Sequence, residues 1–324
     1  MVPAFLKSCV RFLPRPDAAP LDSRPNVADY GSVSAWRALC KAAAALPPAD
    51  DAAARRFFET SFTPLAVADY GASEGLFTGY YEIELNGSRQ RHGRYQTPIY
   101  RRPSEPGAAT RYSRAEIEDG ALAGCGLELF WIDDLIDAFF LEIQGSGRVR
   151  LKEGGTVRVG YDGQNGQPYV PVGRLLVERG IMPRSQTTMI AIRDWMSQHP
   201  AAGAALRREN PSYVFFRELS GDGPIGAEGI VLTAERSLAV DRAFIGLGIP
   251  IWLEADERFG SAESVQRLVV SQDIGGAIKG PVRGDLFWGT GNAAAARAGG
   301  MNARGRYYLL LPHDVASRLS PSSR

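Results

Sequence analysis

The sequence predicts a mainly β chain with peripheral helices, its last third a barrel. Three observations carry this. Between Gly226 and Pro312, short apolar runs (GIVLTA, SLAVD, PIWLEA, RLVVSQD, DLFWG, RYYLLLP) recur with glycine-rich turns between them, the pattern of a closed all-β domain. From Leu65 to Tyr100 the chain also shows alternation and glycine, as strands do. A block of different texture, from Arg101 to about Phe216, separates the two and opens on the linker-like Pro103-Ser104-Glu105-Pro106-Gly107. A chain of 324 residues with 44% hydrophobic content has room for about two domains and a sizeable core.

Taken in order, residues 10–33 are rich in Pro, Asp and Ser and read as an extended lead-in, with helices starting after it. Ser34 is placed to cap Ala35–Leu46, where Trp36, Leu39, Cys40 and Ala43 fall at helical spacing, and Asp50 or Asp51 to cap Ala52–Thr60. Gly75–Tyr100 reads as two strands joined by a polar loop around Asn86-Gly87 and His92-Gly93. Its Thr78, Tyr80 and Tyr81 either offer hydroxyls and ring faces to a sugar-like ligand or are simply good strand residues.

Inside the block, Ser113 and Glu116 make a capping box, and Trp131–Phe140 has helical spacing with Asp133, Asp134 and Asp137 on a solvated face. From Leu141 to Leu176 the chain looks like strands broken by Gly-Ser-Gly and Gly-Gln-Asn-Gly turns, followed by a helix Thr187–Gln198 capped near Ser185. Gln144-Gly145-Ser146-Gly147 can present amide and hydroxyl groups to a ligand, but it lacks the GK[ST] ending of a phosphate loop. Asn210-Pro211-Ser212-Tyr213 closes the block with a polar-aromatic turn, and GNAAAARAGG, from Gly291, reads as a short helix.

Composition excludes several classes of function. Lys and Arg total 37 against 36 for Asp and Glu, so no global field draws the chain to nucleic acid. Cys9, Cys40 and Cys125 stand singly, which argues against a zinc site or a disulfide framework. His92, His199 and His313 sit in polar or terminal settings, too few for a Ser/His/Asp triad or a histidine metal centre. No metal or organic cofactor is expected. In MVPAFLKSCVRFLPRP, Lys7 and Arg11 interrupt the apolar residues, so no export signal is evident in the stretch as written.

The chemistry concentrates in Ser271–Gly289, SQDIGGAIKGPVRGDLFWG. Glycine at this density lets backbone or ligand come close. Asp273 follows the strand-like RLVV and Asp285 opens DLFW, so two carboxylates at adjoining strand ends can face one cleft. They are either acid/base groups or turn aspartates, and residues alone leave both readings open. Asp241 ends SLAVD in the same barrel.

In order, FTGYYE (Phe77–Glu82), YQTPIY (Tyr95–Tyr100), QGSG (Gln144–Gly147), NPSYVFF (Asn210–Phe216), SLAVDR (Ser237–Arg242) and DIGGAIKG with its following D.F.G (Asp273–Gly289) resemble the membrane-bound lytic murein transglycosylase A (MltA) family, the last third being similar to the three-aspartate "3D" domain. The resemblance implies a double-psi β-barrel domain built from residues 1–101 plus 217–324, with a second β-domain, 102–216, inserted into it and a glycan groove between them.

It further implies Asp285 as the catalytic acid, with Asp273 beside it and Asp241 structural. The reaction implied is non-hydrolytic cleavage of the β-1,4 bond between N-acetylmuramic acid and N-acetylglucosamine, leaving a 1,6-anhydro-muramoyl end. One carboxyl serves as acid and then as base, its pKa lifted by apolar walls such as Phe287 and Trp288 or by like charge on Asp273. Thr78, Tyr80, Gln144, Ser146, Tyr213 and Gly276 are the expected substrate contacts. The implied partner is the peptidoglycan glycan strand, met by a monomer in the periplasm in association with the outer membrane. Two alternatives stand beside this: an expansin-like module that binds glycan without cutting it, and a glycosidase that pairs Asp273 with Asp285.

Overall fold

A computed structural model describes residues 1–25, 27–105, 107, 111–256 and 264–319; Pro106 of the linker-like opening lies outside them. The chain begins with helices α1 (Val2–Phe12), α2 (Val33–Ala44) and α3 (Asp51–Ser61), then strands β1 (Phe62–Ala66), β2 (Gly75–Ser88) and β3 (Thr97–Tyr100). Next come α4 (Arg114–Glu118), β4 (Glu128–Ile132), α5 (Leu135–Gln144), β5 (Ser146–Leu151) and β6 (Thr156–Gln164). Helices α6 (Val172–Glu178), α7 (Met189–Gln198) and α8 (Pro200–Arg208) lead to β7 (Val214–Leu219) and β8 (Ser237–Val240). The chain ends with β9 (Pro250–Asp256), β10 (Val265–Ile274), β11 (Arg283–Thr290), α9 (Gly291–Gly300), β12 (Asn302–Pro312) and α10 (His313–Leu319).

Two compact units result. The first comprises Met1–Gly79, Ile225–Trp288 and Met301–Arg324; the second comprises Tyr80–Pro224 and Gly289–Gly300. Strand β2 belongs to both.

In the first unit the strands run in the order β1-β12-β9-β10-β8-β11, and β12 also pairs with the opening residues of β2. The β10–β8 pair is parallel and the β9, β11 and β12 ladders are antiparallel. Leu238, Ile251, Leu253, Val269, Val270 and Leu286 are fully buried, as expected of strands with a covered face. GIVLTA is not a strand. Gly226 and Gly229 close a turn, with Gly229 N–H donating to Gly226 O at 2.8 Å, and only the bridge between Ile225 and Val231 remains of the predicted pairing.

Residues 13–25 and 27–32 are the irregular lead-in expected before α2, but the stretch ahead of them is already a helix, α1. Its Ala4, Phe5, Ser8, Cys9 and Phe12 are buried, the i, i+4, i+8 stripe of an amphipathic helix, and Lys7 and Arg11 fall off it. Phe5 lies edge-on to Phe58 and Phe62 with centroids 5.8 and 6.0 Å apart, and Phe12 against Trp36 at 6.0 Å. The packing of α1 on α2 brings Cys9 to Cys40, and the two are disulfide-bonded with Cα atoms 5.6 Å apart. Isolated spacing gave no hint of this pair, because the contact is made by helix packing across 31 residues. The cap of α2 is Ser32, two residues before the expected Ser34, whereas Asp50 caps α3 as read, accepting from Ala53 N–H at 2.8 Å.

In the second unit β2 pairs in parallel with β5, β5 and β6 with β6 and β7 form antiparallel ladders, and β3–β4 joins through β2. Asn86-Gly87 lies within β2, not in a loop, since Gly87 pairs with both Ile132 and Leu151. The capping box of Ser113 and Glu116 is formed on α4. Trp131 belongs to β4 and Asp134 caps the helix that follows, so the helix runs on through LEIQ, which had read as a strand. Helix α7 is capped by Thr188, with Ala191 N–H donating to its hydroxyl at 3.2 Å. The core gathers Tyr100, Ile117, Leu122, Tyr213 and Phe215.

Candidate active site

Asp285 sits on β11 opposite Ala239 of β8. Two glycines let β2 press against it. A Cβ on Gly75 would fall 1.7 Å from Val282 O, and one on Gly284 3.0 Å from the Phe77 ring, so neither position admits a side chain without displacement. This approach brings Thr78 to the carboxyl: Thr78 Oγ1 donates to Asp285 Oδ1 at 2.8 Å. Arg283, two residues earlier on the same strand, donates through Nη2 to Thr78 Oγ1 at 2.9 Å and through Nη1 to Leu76 O at 3.1 Å. Burial pushes the Asp285 carboxyl above its ordinary range, opposed by the Arg283 charge and the Thr78 hydrogen bond. Of the two expected causes, burial is the one that acts.

Asp273 lies within β10, at a bulge between Ser271 and Asp273, not beyond the strand end. Its Oδ1 accepts from Ala227 N–H and Ile274 N–H, both at 2.9 Å. Ala239 is the register partner of both aspartates, one on each side, which puts their Cα atoms two strand spacings apart, about 10 Å. Asp241 accepts from Ala243 N–H at 3.0 Å and Gly280 N–H at 2.8 Å. It thus ties the loop before β11 to the end of β8. Gly276 is exposed in that loop, with open space where a Cβ would stand.

The other predicted contacts belong to the second unit. Tyr80 is 7% and Ser146 6% exposed. Gln144 accepts from Tyr81 N–H at 2.9 Å and donates to Met189 Sδ at 3.1 Å, so its amide is engaged within the protein. Tyr213 is a core residue, its ring 5.5 Å from Phe215 and 6.4 Å from Tyr100.

This unit also carries a pocket of about 320 Å³ lined by Tyr81, Phe140, Met189, Asp137, Arg193 and Asn292, among others. Asp137 is not on a solvated face. Its side chain is 17% exposed and paired with Arg193, and burial lifts its pKa to about 6 against the pull of that guanidinium. The Tyr81 phenol is also raised by burial, with Arg193 and Asp137 close enough to act on it.

Sequence reasoning missed Arg283, Asp137 and Arg193. For Arg283 a signal existed, since residues i and i+2 of a strand share a face. For the other two, the pocket wall is assembled from β2, α5, α7 and α9, and no local pattern announces it.

The description "MltA specific insert domain" matches residues 76–217, and "3D domain" matches 236–311. The membrane-bound lytic murein transglycosylase A of Vibrio cholerae is 37% identical over 243 residues, covering 72% of this chain. This chain spans 65% of the length of that relative. The crystal structure of a membrane-bound lytic murein transglycosylase from Agrobacterium tumefaciens superposes with a TM-score of 0.84 at 31% identity, over 98% of this chain and 94% of that one. Escherichia coli MltA with bound chitohexaose gives 0.72 at 33% identity, over 80% and 78%. The fold is the mainly β, double-psi barrel fold of these structures. From both matches and from these likenesses, the chain belongs to the MltA family with a 3D domain.

Proposed function

We propose that this protein is a lytic transglycosylase of the bacterial envelope that cleaves the β-1,4 bond between N-acetylmuramic acid and N-acetylglucosamine without water. The observation that carries the reading is a single carboxyl, Asp285, whose pKa is raised by burial while one of its oxygens is engaged by a hydroxyl. A carboxyl whose pKa is raised is the better general acid near neutral pH and, once ionised, the better base. It donates its proton to the glycosidic oxygen as the bond from that oxygen to C1 breaks. The resulting carboxylate takes the proton of the muramoyl C6 hydroxyl as O6 bonds to C1. The proton is returned and no water is consumed.

Membership in the MltA family and the chitohexaose bound by the Escherichia coli relative support a glycan substrate. Among the expected contacts, Tyr80, Ser146 and Gly276 remain as proposed glycan contacts. The pocket of the second unit, with Tyr81, Asp137 and Arg193, is a further proposed glycan contact, polar at one end and apolar at Phe140 and Met189, as sugar pockets are.

Mass spectrometry of soluble products from peptidoglycan sacculi tests the reading. Anhydro-muropeptides, lighter by one water than hydrolytic products, are expected from the wild type. Reducing-end products instead would establish a two-carboxylate hydrolase. Sacculus binding with no new chain ends would establish a binding module.

A further inference from the structure

With Asp285 ionised, the hydrogen bonds around Thr78 admit one polarity. Arg283 Nη2 donates to Thr78 Oγ1 at 2.9 Å, and a guanidinium has donors only. A threonine hydroxyl has one proton, and with a lone pair taken by Arg283 that proton is free to point at Asp285 Oδ1, 2.8 Å away. Arg283 is in turn held by Leu76 O at 3.1 Å and by the carbonyl of Gly284. The chain of donors is therefore anchored to backbone at its far end.

We infer that Arg283 and Thr78 are positioning residues for Asp285. They keep Oδ1 as an acceptor in both protonation states and leave Oδ2 as the oxygen that gives and takes the proton. Thr78 is thereby reassigned from substrate contact to support of the carboxyl, since its hydroxyl is already engaged on both sides. A carboxyl that must turn from acid to base without rotating benefits from such a fixed oxygen. The proton-transfer role of Oδ2 rests on the transglycosylase reading; the polarity of the chain does not.

The charged surroundings of Asp285 can be named strand by strand. Its own β11 supplies Arg283. The stretch of β2 against it, Gly75–Thr78, supplies a hydroxyl and no charge. Just after β8, Asp241 is held by Ala243 and Gly280 N–H groups, and on β10, Asp273 by Ala227 and Ile274 N–H groups. Arg283 is thus the cation that opposes the effect of burial, as the direction of each influence on Asp285 also indicates.

The experiment combines two readouts on wild type, Thr78→Val, Thr78→Ser and Arg283→Met. One is the pH profile of anhydro-muropeptide release. The other is a carbon-13 NMR titration of the Asp285 carboxyl, assigned by its loss in Asp285→Asn, which needs no turnover. Thr78→Val keeps the side-chain shape and removes the donor, so it is expected to shift the titration and the alkaline limb upwards by about one pH unit. Turnover near neutral pH should fall about tenfold to a hundredfold. Thr78→Ser should stay near wild type in both, and Arg283→Met should shift upwards like Thr78→Val.

A Thr78→Val titration superimposable on the wild type, or a Thr78→Ser variant as impaired as Thr78→Val, would overturn the inference. If the wild type releases no anhydro-muropeptides, the transglycosylase reading falls together with the role of Oδ2. The titration then decides the hydrogen-bond chain by itself.

Discussion

Two carboxyls of the first unit, both raised by burial, share one hydrogen-bond plan and differ in what stands behind the hydroxyl. Asp285 receives a hydrogen bond from Thr78, whose oxygen is backed by Arg283. Glu228 receives one from Ser8 at 2.7 Å, whose oxygen is backed by the Gln272 amide at 2.9 Å. In both, an N–H on the hydroxyl oxygen directs its proton to the carboxyl. Behind Asp285, however, stands a cation, and behind Glu228 a neutral amide. Glu228 is 7% exposed, its Oε1 carries no hydrogen bond, and burial lifts its pKa to about 7 with only Ser8 and Arg11 in opposition. Burial raises both carboxyls; at Asp285 the Arg283 charge and the Thr78 hydroxyl oppose it, and at Glu228 the Ser8 hydroxyl and Arg11 do.

The second unit shows what direct pairing does. Glu142 is clamped by Arg114 through two bonds of 2.8 Å and accepts Val214 N–H at 2.8 Å, while Arg114 also donates to Asn210 O at 3.0 Å and Ser212 O at 2.6 Å. Both carboxylate oxygens are used, so the pair joins α4, α5 and the turn before β7 and has no free oxygen for chemistry. The interposed Thr78 is what separates the Asp285 arrangement from this one.

The comparison is broken most severely at Asp285. Asp285→Asn keeps the size of the side chain and removes the transferable proton, and a general acid/base contributes about 10²–10⁴-fold. Because one group serves both steps, we expect loss of at least about 10³-fold in anhydro-muropeptide release, with thermal unfolding no earlier than in the wild type, since a buried ionisable group is removed. Activity within tenfold of wild type would put the proton transfer elsewhere.

A second break falls on the direct pair. Arg114→Met strands Glu142 in a site with 7% side-chain exposure, and removing one partner of a buried pair costs about 3–5 kcal/mol. Urea unfolding should show that loss. A cost under about 1 kcal/mol would mean that Glu142 finds water or protonates at little cost.

How much of this was legible in sequence depends on how local each feature is. SLAV, PIWLEA and RLVV are short apolar runs, and β8, β9 and β10 lie on them. The Ser271–Gly289 stretch pointed to Asp285 because glycine density signals close approach, and Gly284 does admit Phe77. What stayed hidden depends on distant contacts. The role of Thr78 required β2 to cross 207 residues of sequence to Asp285. Tyr213 read as a ligand platform because a polar-aromatic turn looks the same whether its ring meets solvent or a core. Helix α1 was obscured by its proline and two cations, though its buried residues keep helical period.

The mildest test separates the two hydroxyl-backed carboxyls by pH. Glu228 has a folded-state pKa of about 7, above the ordinary glutamate value of about 4.3. Between these values the folded protein binds more protons than the unfolded one, so stability falls as pH rises from about 4 to about 7 and levels off above. The difference amounts to about 4 kcal/mol at most. Glu228→Gln mimics the protonated acid while retaining an acceptor for Ser8. It should match the wild type at pH 4 and exceed it by up to that amount at pH 8, in urea midpoints measured across the range. Parallel curves for the two proteins would show that Glu228 ionises as freely when folded as when unfolded.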